Sequence, residues 1–141
     1  MTTRIGRTVL LSRDLAATAA FYADGFGFAT LHDETADGVR LLHVGPEGPH
    51  GPGLWLLPVA DGVPTTRPGN APDLVLYVDD LDTTLRHLAA AGVEPHVPAQ
   101  TDDASGDRYA HVRDPDGNLV IAVQLAAQPA VQLAAEDAAG G

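Results

Sequence analysis

Six histidines are the residues of this chain best suited to proton transfer or ligand contact: His32, His43, His50, His87, His96 and His111. Two of them hold the same place in similar segments, Arg40-Leu41-Leu42-His43-Val44 and Arg108-Tyr109-Ala110-His111-Val112. Alternation along a strand puts His43 on the face of Leu41 and His111 on the face of Tyr109. Imidazoles placed this way can act as general acid and base, donate hydrogen bonds to a ligand, hold a displaced metal, or sit half-buried against their neighbours. Ligand contact is the expected role here, ahead of catalysis. His32, His50 and His96 fall in loops or at strand ends and His87 on an exposed helix face, so these four are expected to be bystanders.

Other chemistry-bearing groups are fewer. Tyr77 shares the two-residue period of Asp73 and Val75, and Tyr109 that of His111, so both can stack on or hydrogen-bond a bound molecule. Asp102, Asp103 and Asp107 flank a loop, where they either attract a cationic ligand or close over a cleft. Asp79, Asp80 and Asp82 read as helix-start residues. Neither group has the spacing of a calcium loop. The segment Gly45 to Gly53 lacks the ending of a phosphate loop, and neither Ser12 nor Ser105 sits in a nucleophile elbow. Trp55 is expected on a helix-covered face or at a subunit contact.

The chain has 141 residues, 45% of them hydrophobic, which is one domain with a real core. Nineteen acidic residues against eight basic ones, all arginine, give a formal charge of −11. Nucleic acid and anionic membranes are poor partners for such a surface. The sign favours a basic ligand, although solubility alone also explains it. The absence of cysteine excludes disulfides, thiolate metal sites and thiol nucleophiles. No run approaches the roughly 20 apolar residues of a membrane span. Thr8 to Leu11 is too short for a signal-peptide core, so a cytoplasmic location is expected.

The elements that must position these groups come in two similar sets. Thr8 to Leu11 reads as a strand. Asp14 caps a helix carrying Leu15, Thr18, Phe21 and Tyr22 on its period, with Gly25 as its stop. Phe26 to His32, Val39 to Val44 and Leu54 to Val59 read as strands. After a Pro-marked linker over 60–71, Leu74 to Val78 is a strand. Asp80 caps a helix with Leu81, Leu85 and Leu88 on one face, and Gly92 follows it. Val93 to Val97 is extended, Arg108 to Val112 is a strand, Asp114-Pro115-Asp116-Gly117 turns, and Leu119 to Gln124 is the last strand. Aligning Asp14-Leu15 with Asp80-Leu81 sets Arg7 opposite Asp73 and Leu56 opposite Ile121. The repeat is about 50 residues of strand–helix–strand–strand–strand. The fold class is α+β, two tandem βαβββ modules forming a curled mixed sheet with a central cleft. One domain spans 1–125, with module one at 5–59, module two at 72–125, and an Ala-rich tail at 126–141 that is either a short helix or a frayed end.

With these motifs the sequence resembles the vicinal-oxygen-chelate superfamily, which includes glyoxalase I, bleomycin-resistance proteins and extradiol dioxygenases. The resemblance rests on Asp14-Leu15, Phe21-Tyr22 and Gly25-Phe26-Gly27-Phe28 in the first half. The second half adds Val78-Asp79-Asp80-Leu81, Ala91-Gly92-Val93 and Asp114-Pro115-Asp116-Gly117-Asn118-Leu119. It covers residues 5 to 125. It implies four metal-ligand positions, on the first and last strand of each half, which fall here on Arg7, Leu56, Asp73 and Ile121. Only Asp73 can bind a metal, since arginine stays protonated and leucine and isoleucine have no donor atom. Arg7 and Asp73 are expected either to pair in the vacated centre or to reach solvent separately at its edge.

The function that the resemblance implies is metal-independent binding of a small organic, antibiotic-like molecule, with no cofactor, as in the bleomycin-resistance branch. The cleft is expected to have apolar walls from Val9, Leu11, Leu56, Val75 and Ile121. Arg7, Asp73, His43, Tyr77, Tyr109 and His111 are its polar handles. A homodimer is expected, the partner completing the cleft. The alternative is a lyase, isomerase or dioxygenase with a relocated or absent metal, using His43 and His111.

Overall fold

In the computed structural model, residues 2–69 and 71–127 are described. The first module runs β1 (Arg7–Ser12), α1 (Leu15–Phe26), β2 (Ala29–Ala36), β3 (Val39–Gly45) and β4 (Gly53–Pro58). The second runs β5 (Leu74–Tyr77), α2 (Leu81–Ala90), β6 (Val97–Thr101), β7 (Arg108–Arg113) and β8 (Leu119–Gln124). The α+β fold of two βαβββ modules is therefore present, as two four-stranded mixed sheets ordered β1-β4-β3-β2 and β5-β8-β7-β6. In each, the first strand lies parallel to the last and the other pairs are antiparallel. Most of the expected tail, residues 128–141, lies outside the described residues.

Local chemistry sets the helix limits. Asp14 and Asp80 are extended N-caps whose carboxylates accept the backbone N–H of Ala17 and Thr83, at 3.1 and 3.2 Å. The stop of α1 is Gly27, not Gly25. Gly27 takes the left-handed conformation (φ 72°) that a side chain would strain, and Phe28 N–H then closes onto Tyr22 O. Gly25 lies inside α1 because a Cβ there would overlap the side chain of Leu88, so it is the close-contact point between α1 and α2. The expected strand start at Phe26 gives way to this longer helix. The hairpin between β2 and β3 closes on Asp37-Gly38, both at positive φ, the primed-turn geometry that matches strand twist.

One core joins the modules. Leu10, Leu42 and Leu56 from the first sheet meet Tyr22 of α1, Leu88 of α2 and Val112 of the second sheet. Each is 6% exposed or less, so the helix-covered faces of both sheets turn toward one another. Strands β1 and β5 are both outer strands, and the modules touch chiefly where α1 packs on α2.

A polar joint lies within this core. The turn after β7 buries Asp114, Asp116 and Asn118. Asp114 accepts from the backbone of Asp116 and Asn118, from the Asn118 amide, and from Tyr22 Oη–H of the other module at 2.8 Å. Asp116 accepts from Thr18 Oγ1–H at 2.6 Å and from Arg13 N–H at 2.9 Å. Burial pushes the Asp114 carboxyl above its ordinary range, against these donors, which pull it down. The same burial and the neighbouring Asp114 carboxylate raise the Tyr22 hydroxyl, so it stays a donor. Tyr22→Phe leaves Asp114 one donor short in a dry site. We expect a loss of about 1.5–3 kcal/mol, the range for a hydrogen bond to a charged group. Urea and thermal unfolding measure it, and an unchanged midpoint would show that the bond contributes nothing.

Candidate functional site

Among the described residues, the face of each sheet opposite the core carries no helix. On the first sheet the ladder sets Val9 beside Trp55 and Trp55 beside His43, with His32 next across β2. Arg7 and Leu11 share this face by alternation. On the second sheet Val75 pairs with Ile121 and Tyr77 with Val123, while His111 lies opposite Ile121 and Tyr109 opposite Val123. Apolar surface is left open on both: Val9 is 47% exposed, Val75 51% and Tyr77 72%.

Two expected placements are reversed. Leu56 is fully buried on the helix-covered face, paired with Leu10 and Leu42, and lines no cleft. Trp55 takes the open face instead. The β4 strand begins at Gly53 opposite Arg7, one residue out of step with the alignment that set Leu56 against Ile121, and a one-residue slip exchanges the two faces. His32 is a further residue that sequence reasoning set aside. It sits within β2, its ring 5.3 Å from that of His43, after a bulge that conceals the alternation.

Arg7 and Asp73 do not pair. Arg7 donates from Nη1 to the carbonyls of Gly6 (2.8 Å) and Gly51 (2.7 Å), from Nη2 to that of Pro49 (2.8 Å), and from Nε to His43 Nδ1 (3.0 Å). It thus ties the Gly/Pro loop between β3 and β4 to β1. Asp73 accepts from Leu119 N–H at 2.9 Å and lies 3.7 Å from Arg67 Nε. β1 and β5 belong to separate sheets, and although Thr8 to Leu11 and Asp73 line one pocket, Arg7 and Asp73 each find partners of their own. His43 and His111 are likewise served separately. His43 lies 5.4 Å from the ring of Trp55, and His111 lies 5.9 Å from that of Tyr109.

The residues at the four ligand positions do not fit a metal. Arg7 offers only donors, Leu56 is in the core, Ile121 has no donor atom, and Asp73 is bound to backbone. Shifting the second position to the open face replaces Leu56 by Trp55 or Leu57, neither of which coordinates. Among the described residues no three His, Cys, Asp or Glu side chains cluster as a metal site would require. The acids at 102–107 serve their own turn. Asp102 accepts from Ala104 N–H and Ser105 Oγ–H, which holds its carboxyl below the ordinary range, and Asp107 accepts from Ala126 N–H. A groove of about 750 Å³ lies between the modules, where a cleft is expected, and runs from Phe26 and Phe28 to Val75, Tyr77 and His87; Phe26, Phe28 and His87 are not among its expected lining.

Partial burial first, then the charge of Arg7 and the neighbouring His32, hold His43 below the ordinary histidine value. Trp55 is the sole tryptophan and sits beside this ring. Its emission is expected to fall on acidification as His43 becomes charged, with a midpoint below about 6.5. Arg7→Met should raise that midpoint. A fluorescence titration centred at or above the ordinary value in the unaltered chain would contradict the placement.

Comparison with known proteins agrees with this architecture. TnmS3, an antibiotic binding protein from Streptomyces sp. CB03234, superposes with a TM-score of 0.70 at 26% identity, covering 89% of this chain and 98% of that one. TioX from Micromonospora sp. ML1 gives 0.64 at 21% identity, over 88% of this chain and 100% of that one. A glyoxalase I mutant from Zea mays gives 0.70 at 19%, over 89% of this chain and 47% of that one. The last two likenesses speak to the fold alone. No curated protein matches the chain by sequence. Residues 4–121 match the family described as the Glyoxalase/Bleomycin resistance protein/Dioxygenase superfamily, and the chain belongs to that superfamily.

Proposed function

We propose that this chain binds and sequesters a small organic, antibiotic-like molecule without a metal. The observation that carries the reading is the pair of open sheet faces, each an apolar surface with a few convergent polar groups, beside ligand positions whose side chains cannot coordinate. The likeness to TnmS3, an antibiotic binding protein, supports it. Val9, Leu11, Trp55 and His43 form one wall of the site, and Val75, Tyr77, Tyr109, His111 and Ile121 the other. The two walls belong to different sheets, and in this reading a second copy of the chain completes each site. The enzymatic alternative needs His43 and His111 on one substrate, which only the shared site would supply, since within one chain they have separate partners.

A screen of antibiotics and aromatic metabolites is expected to yield a compound that changes Trp55 emission and raises the melting temperature. At a hundred times Kd the gain is about 2.7 kcal/mol. Treatment with a chelator should leave both effects intact. Stoichiometric metal whose removal abolishes binding would refute the metal-independent reading. Tyr77→Asp, which sets a charge on the exposed second wall, should shift the protein toward monomer in sedimentation and weaken ligand binding together. A monomeric unaltered chain with full affinity would refute the shared site.

A further inference from the structure

A neutral imidazole carries one N–H, and the nitrogen that accepts a bond cannot be the one that holds the proton. Arg7 can only donate, and it keeps its charge throughout the working pH range. Its Nε–H meets His43 Nδ1 at 3.0 Å, so the proton of His43 is on Nε2. Nε2 has no partner among the described residues. A second proton on the ring would set N–H against N–H and one cation beside another. Arg7 is itself held by the three carbonyls of Gly6, Pro49 and Gly51, so the arrangement does not depend on a freely rotating side chain. Planar groups flank His43 on both sides, Trp55 at 5.4 Å and His32 at 5.3 Å between ring centroids. The carboxylate on this face, Glu34, lies 3.2 Å from His32 Nε2.

We infer that the open face of the first sheet takes a planar molecule through a neutral or anionic oxygen acceptor, an aryl ketone or aryl carboxylate, received by His43 Nε2–H. Arg7 is the positioning residue that fixes the tautomer. This rests on the binding function proposed above and narrows its ligand. An ammonium or amide N–H finds no acceptor on His43, so the acidic surplus of the chain does not set specificity at this point. The ring row supplies stacking, and the single fixed donor supplies orientation.

The test uses the full chain labelled with ¹⁵N and three probes, 2-acetylnaphthalene, 2-naphthoate and 2-naphthylmethylammonium. Long-range ¹H–¹⁵N correlation should show His43 neutral and protonated at Nε2, with Arg7→Met giving a mixture of tautomers. The ketone and the carboxylate should bind about tenfold more tightly than the ammonium, the worth of one well-placed hydrogen bond. His43→Phe, which keeps a ring and lacks the donor, should abolish that preference. The inference is overturned by an Nδ1-protonated His43, by an ammonium probe bound as tightly as the ketone, or by a preference that survives in His43→Phe. An Nδ1-protonated His43 in a protein that still binds the probes overturns the inference alone. A first-sheet face that none of the three probes perturbs overturns the binding function with it. If Arg7→Met does not fold, the tautomer in the unaltered chain and the His43→Phe comparison still decide.

Discussion

Two carboxylates buried in one turn hold the modules in their observed relation. Asp114 and Asp116 together accept six hydrogen bonds, from their own turn, from Tyr22 and Thr18 of α1, and from the backbone of Arg13. A buried carboxylate is costly unless its oxygens are satisfied, and only the first module supplies the last donors. Tyr22 must therefore come to the turn after β7. Once it does, α1 is set against α2 and Gly25 against Leu88. The direction in which each sheet presents its open face follows from that docking.

Arg7 does for the first module what the turn does for the pair. A guanidinium at the start of β1 gathers three carbonyls and one imidazole, and so fixes both the β3–β4 loop and the ring state of His43. At this position the resemblance implies a metal ligand in metal-using relatives. The substitution exchanges a centre that polarises a substrate for a centre that orders a surface. Binding without coordination chemistry is consistent with it, because a fixed donor on an apolar wall selects by shape and hydrogen bonding.

Much of this was legible in the residues. The helix caps at Asp14 and Asp80 and the assignment of Val9, Val75, Tyr77, Tyr109 and His111 to one face of their strands follow from local chemistry and the two-residue period. The repeat itself is written twice in the chain. Two of the failures share one cause, which is that the repeat is approximate. Aligning the halves put Leu56 where Trp55 stands, because β4 is offset by one residue. The bulge in β2 concealed His32. The Arg7–Asp73 pair, one of two alternatives, rested on the convergence of ligand positions that the resemblance implies, whereas docking is decided by Tyr22 and Asp114, 92 positions apart, and no short-range pattern announces that contact.

The outer strand β5 carries one last consequence. Leu74-Val75-Leu76-Tyr77 is uncharged, holds the strand-favouring Val75 and Tyr77, and among the described residues pairs only with β8. A longer edge of this kind would be a template for cross-β growth. Here it is four residues long, with Pro72 and Asp73 before it and Asp79 and Asp80 after it. Those flanking residues act as gatekeepers: a missing backbone donor and a row of like charges stop a foreign strand from extending the ladder in either direction. The helix cap at Asp80 thus has a second use, in keeping the edge beside it from recruiting the wrong chain.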